Sequence, residues 1–164
     1  MKFTVDQHLA SPPARVAEAF ADPDLYRSMP VLPKLSLPEL LSHEVAGGVV
    51  ELRIRYRFEG HLSSAVTAVI DPSRLSWVEH SSHHLAAGTG SYTLQPDHYG
   101  DRFRCAGTFR YEPSGDGCRR EITGDLRVRA PLVAGTVERA IVSGLRENLE
   151  HQAAAVDAYL ARQS

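Results

Sequence analysis

Ile122-Thr123-Gly124-Asp125-Leu126-Arg127-Val128-Arg129-Ala130-Pro131-Leu132 changes period as it is read. Ile122, Gly124, Leu126 and Val128 alternate with Thr123, Asp125, Arg127 and Arg129, so one side of a strand is apolar or small and the other polar. Pro131 cannot donate to a ladder and closes the strand. From Leu132 the spacing becomes helical: Val133, Val137, Ile141, Leu145, Leu149, Val156 and Leu160 fall on one broad face. Roughly 30 residues at about 1.5 Å each give about 45 Å, enough to cross a whole sheet. A strand that runs into one long amphipathic helix predicts a sheet burying a face against that helix.

Upstream, Lys2 to Leu9 alternates and reads as a strand. Ser11-Pro12-Pro13 then opens a helix, with Ser11 able to cap it and proline suited to a first turn where its missing N–H has no partner. Val16, Ala19 and Phe20 form its apolar stripe. Asp22-Pro23 breaks the chain and restarts it as a short helix through about Met29. Pro30, Pro33 and Pro38 keep the next segment extended or looped. From Glu39 the period is two: Leu41, His43 and Val45 lead to the hairpin signal Gly47-Gly48. The return strand sets Leu52, Ile54, Tyr56 and Phe58 against Glu51, Arg53, Arg55 and Arg57. Further strands are predicted near Ala65–Ile70, Ser76–Ser82, Gly88–Leu94, Arg102–Tyr111 and Arg119–Arg129, separated by Pro- and Gly-containing turns. The expected fold class is α+β. A strongly curved antiparallel sheet wraps a long C-terminal helix, and two short helices follow the first strand. At 164 residues the chain is expected to be one domain, residues 1–164.

Alternation also predicts a register for the last hairpin. Phe109 faces Ile122, Gly107 faces Gly124 and Cys105 faces Leu126 on the inner side. Outside, Glu112 meets Arg119, Arg110 meets Glu121 and Thr108 meets Thr123, favourable pairs worth a few tenths to about 1 kcal/mol each. The same register sets Arg104 on Arg127 and Arg102 on Arg129, which asks for an anion nearby. Asp6, on the first strand, is the expected neutraliser. Cys118 lies in the turn, roughly 26 Å from Cys105 at strand rise, so no disulfide is expected between them.

A net charge of -2 with 23 % charged residues gives no bulk attraction to nucleic acid. No apolar run approaches the roughly 18 residues of a membrane span, and the first residues lack the apolar core of a signal peptide, so a cytoplasmic protein is expected.

The opening Ser11-Pro12-Pro13-Ala14-Arg15-Val16-Ala17-Glu18-Ala19-Phe20-Ala21-Asp22-Pro23 resembles that of the START-like (SRPBCC) superfamily, a helix-grip group with birch-pollen-allergen-like and polyketide cyclase/dehydrase-like members. The junction Ala130-Pro131-Leu132-Val133-Ala134-Gly135-Thr136-Val137-Glu138 is similar to a bacterial subfamily of unknown function, which also tends to carry a tryptophan where Trp77 stands. The resemblance spans the chain in layout and its two ends in motif. It implies a hydrophobic cavity between sheet and terminal helix, usually for a lipid, polyketide or similar ligand. It implies no shared catalytic residues and no cofactor.

Three functions compete. The first is a non-enzymatic binder of a hydrophobic small molecule, a monomer or weak homodimer. Its expected cavity lining is His43, Ile54, Tyr56, Phe58, Tyr92, Phe109 and Tyr111 from the strands with Cys105. Val137, Ile141, Gly144 and Leu145 add the inner face of the helix. Gly144 reads equally as a packing glycine or as space for a ligand. The second function is a cyclase-like enzyme, for which His43 and the inward tyrosines are the candidate polar groups. His43 reads first as a partly exposed edge-strand residue, and each tyrosine first as core. The third is an interaction module using the arginine-rich outer face. That face lacks aromatics for base stacking, and Glu51, Glu112, Glu121 and Asp125 interleave with its arginines, so a solvated surface is expected. His80, His83 and His84 do not converge in a strand, where residues four apart are roughly 13 Å apart. No metal site is expected there.

Overall fold

The computed structural model describes residues 1–163. The elements are β1 (Lys2–Leu9), α1 (Pro13–Ala21), α2 (Pro23–Arg27), β2 (Glu39–Ala46), β3 (Val49–Arg57), α3 (Ser64–Thr67), β4 (Ser76–His84), β5 (Thr89–Pro96), β6 (Phe103–Ser114), β7 (Gly117–Val128) and α4 (Ala134–Arg162). The strands form one seven-stranded antiparallel sheet in the order β1-β7-β6-β5-β4-β3-β2, with α4 packed on β1 and β7. This is the helix-grip layout.

Local chemistry accounts for most boundaries. Pro13 occupies the first turn of α1, but the cap position is Pro12 and no side chain caps it, so Ser11 does not take that role. Asp22 caps α2 by accepting the Asp24 N–H at 2.9 Å. The helix α4 begins at Ala134 rather than Leu132, because Leu132 adopts φ 67 and stands fully exposed in the turn. Ala65–Ile70 holds the short helix α3 instead of a strand. The segment's apolar residues Val66, Val69 and Ile70 recur at i, i+3 and i+4, a helical spacing, and β3 pairs directly with β4, leaving no sheet position to fill.

The β6–β7 register is the predicted one, with Phe109 opposite Ile122, Gly107 opposite Gly124 and Cys105 opposite Leu126. Both cysteines are free. Arg110 contacts Glu121 at 3.0 Å and Arg119 contacts Glu112 at 3.0 Å. Asp6 is not the neutraliser of the arginine pairs. It lies opposite Glu121 and binds Arg119 at 3.1 Å, whereas Arg127 turns to Asp125 at 3.3 Å. The reason is register: β1 runs antiparallel to β7 with Lys2 opposite Asp125, so Asp6 points toward the other end of the strand.

Gly107 lies between two neighbours, Tyr92 on β5 and Gly124 on β7. The Tyr92 side chain crosses over both glycines and donates its hydroxyl to the Thr123 carbonyl at 3.0 Å. A Cβ on Gly107 would overlap that carbonyl oxygen. Without side chains of their own, these glycines leave the space that the Tyr92 side chain occupies.

Candidate functional site

The inner side of the sheet divides into a filled end and an open end. At the filled end α1 and α2 place Phe20, Leu25 and Tyr26 in one core with Ile54, Tyr56, Phe109 and Tyr111. At the open end is an apolar cavity of ≈ 190 Å³. Its walls include Trp77, Leu94, Cys105 and Leu126 from the sheet. Val137, Ile141, Gly144 and Leu145 line it from α4, and Val66, Val69 and Ile70 from the α3 segment. A Cβ built on Gly144 meets nothing within 4 Å, so this glycine faces open space rather than a packed strand.

Of the residues expected to line a cavity, Phe58, Cys105, Val137, Ile141, Gly144 and Leu145 come together around this one. The other six do not line it. Ile54, Tyr56, Phe109 and Tyr111 are buried under α1 and α2. Tyr56 stacks on Trp77 at 6.2 Å between ring centroids. Tyr92 is committed to the Thr123 carbonyl. His43 pairs with Leu52 but is exposed on the edge strand β2. Alternation places all of these on the inner face, but it cannot say which end of that face two separate helices will cover.

Several polar groups point inward. Arg120 is 8 % exposed, with its guanidinium carbon 3.9 Å from the Phe20 ring centre and 4.6 Å from that of Phe109. Its Nη1 donates to Gln7 Oε1 at 2.9 Å, and Gln7 Nε2 donates to the Leu149 carbonyl at 2.6 Å, tying β7 through β1 to α4. Among the described residues Arg120 has no ion pair with a carboxylate. Glu79 stands on the inner face between Ile54 and Leu94 and makes no hydrogen bond among the described residues. Desolvation pushes its pKa up, opposed by the positive charge of Arg120. His83 is pulled down to about 3 by burial, then by Arg120 and His84, so it is neutral near pH 7 beside Ser81 at 3.0 Å. The Cys105 thiol is pushed up to about 12, chiefly by burial, and forms a neutral wall. Asn148 also lines the cavity. Its Nδ2 donates to the Gly144 carbonyl at 3.0 Å, and its Oδ1 is buried with no partner among the described residues. Sequence reasoning missed Glu79 and Arg120. Period two from Ile122 does place Arg120 inward, so the signal for it was present.

Among the described residues no group of three or more His, Cys, Asp or Glu is placed to hold a metal ion. No helix among them is long and apolar enough to cross a membrane.

Solved structures share this fold. TTHA0849 from Thermus thermophilus matches with a TM-score of 0.71 and 18 % identity, covering 100 % of this chain and 99 % of its own. The ZhuI aromatase/cyclase from Streptomyces matches at 0.62 and 17 % identity, covering 99 % and 93 %. Norcoclaurine synthase from Thalictrum flavum matches at 0.64 and 15 % identity, covering 98 % and 86 %. At these identities the likeness shows the fold alone. No curated protein matches the sequence. A family model described as "Protein of unknown function (DUF2505)" matches residues 4–160, and the chain belongs to that family.

Proposed function

We propose that the chain, as one domain, binds an apolar small molecule in the cavity between the sheet and α4. The observation that carries this reading is the unfilled, apolar space at Gly144, in the middle of a helix that otherwise packs on a sheet. The cavity, ≈ 190 Å³, exceeds the ~150 Å³ that suffices for benzene and falls short of the ~300 Å³ typical of the smaller drug-sized pockets. It suits a single ring or a medium alkyl chain. The test is calorimetric titration with 1-decanol. Binding is expected in the wild type and at least about tenfold weakening in Gly144→Phe, whose ring occupies the ligand space. The variant is expected to fold with undiminished stability, because replacing a helical glycine by Phe removes a propensity cost of about 0.5 kcal/mol. An unchanged titration in Gly144→Phe would rule out this cavity as the site.

A further inference from the structure

The chain as a whole carries 18 basic and 20 acidic side chains, yet the cavity lining holds no Asp or Glu. It holds Lys34, Arg74, Arg102 and Arg129, with His98 beside them. All are exposed, which places them at the opening rather than on the apolar walls. Two of the four permanent cations are already engaged. Lys34 binds Glu147 at 2.7 Å, and Arg74 lies over the Tyr99 ring at 5.2 Å. Arg102 and Arg129 have no carboxylate partner among the described residues. They are neighbours, since the Arg129 N–H donates to the Arg102 carbonyl at 2.7 Å. The acids nearby are used elsewhere. Glu138 accepts the Val128 N–H at 3.0 Å and approaches the Met1 amine, and Asp125 holds Arg127. Asp101, adjacent to Arg102 in the chain, forms no ion pair with it.

Two adjacent like charges repel, and an anion between them removes that penalty. Guanidinium groups also match the planar oxygens of carboxylates and phosphates in bidentate fashion. The apolar walls behind them exclude water and strengthen such contacts. The backbone is unusual at the same opening. Among the described residues the non-glycine residues with positive φ are Lys34 and Tyr99, which line the cavity, and Leu132, in the turn that follows Arg129. Such conformations concentrate where a binding site over-determines the backbone.

We propose that the cavity takes an amphiphile, its apolar body inside and a single oxyanion, carboxylate or phosphate, held at the mouth by Arg102 and Arg129. The proposal rests on the binding reading above and names its ligand class. The test compares three probes with the same alkyl chain, 1-decanol, decanoate and decyl phosphate, by calorimetry at low ionic strength below their aggregation limits. At least one of the two anions is expected to bind the wild type about tenfold or more tighter than 1-decanol, and the tighter one identifies the oxyanion. In the double variant Arg102→Gln/Arg129→Gln that preference should shrink to about twofold, with 1-decanol unaffected. Both positions are exposed, so the variant keeps the core intact. If 1-decanol binds as tightly as both anions, or the preference survives in the double variant, the oxyanion site is wrong and the apolar cavity stands. If none of the three binds the wild type, the binding reading falls and this proposal with it.

Discussion

Gly107→Val is expected to lower stability by about 3 kcal/mol or more, near the upper end of overpacking costs. The new Cβ would enter the space of the Thr123 carbonyl oxygen, and the Tyr92 hydroxyl lies 2.7 Å from the same point. The Thr123 oxygen belongs to a strand hydrogen-bonded on both sides, so it cannot retreat without breaking β1–β7 or β6–β7 pairing. Tyr92 would also lose its hydrogen bond to that oxygen. Domains of this size hold only about 5–15 kcal/mol in total, so such a loss is readily seen in urea denaturation. Gly100→Ala serves as the contrast, since its Cβ meets nothing within 4 Å, and it should change stability by no more than about 0.5 kcal/mol. A Gly107→Val protein with an unshifted midpoint would mean that the sheet does not close over Tyr92 in this way.

Arg120→Ala is expected to cost about 3 kcal/mol, in the range for truncating a large buried side chain. Its guanidinium lies over the rings of Phe20 and Phe109, which join α1 to β6. Truncation empties that contact and leaves Gln7 Oε1 without its donor. Arg120→Met separates packing from charge. Methionine keeps an unbranched stem between the rings and removes a buried cation that has no carboxylate partner, so it should recover most of the loss, to within about 1 kcal/mol of wild type. Denaturation curves of the three proteins decide the matter. Equal losses in the Ala and Met variants would show that the charge and the Gln7 bond, not the packing, hold this part of the core.

The cavity follows from how the two ends of the sheet are covered. One helix crosses the inner face, but the short α1 and α2 fill only the end near Ile54, Phe109 and Tyr111. The α3 segment closes the side of the other end without filling it.

The amino-acid sequence by itself determined the β6–β7 register, the inner faces of those two strands and the long helix that follows them. Each depends on contacts close in sequence. A hairpin turn ties Gly117 to Ser114, and period two then assigns every side chain of both strands to a face. Opposite charges at Arg110–Glu121 and Glu112–Arg119 reinforce that register. The tertiary structure alone decided which inward residues line a cavity and which are core. Tyr56, Phe109 and Tyr111 carry the same alternation signal as Cys105, yet α1 and α2 fold back over the first three, and that covering is made between residues far apart in the chain. The same holds for Asp6, whose partner depends on the pairing of the first strand with the last. It holds also for Arg102 and Arg129, which strand alternation assigns to the outer face. The strands end at Phe103 and Val128, one residue short of each, and both arginines are among the residues that line the cavity.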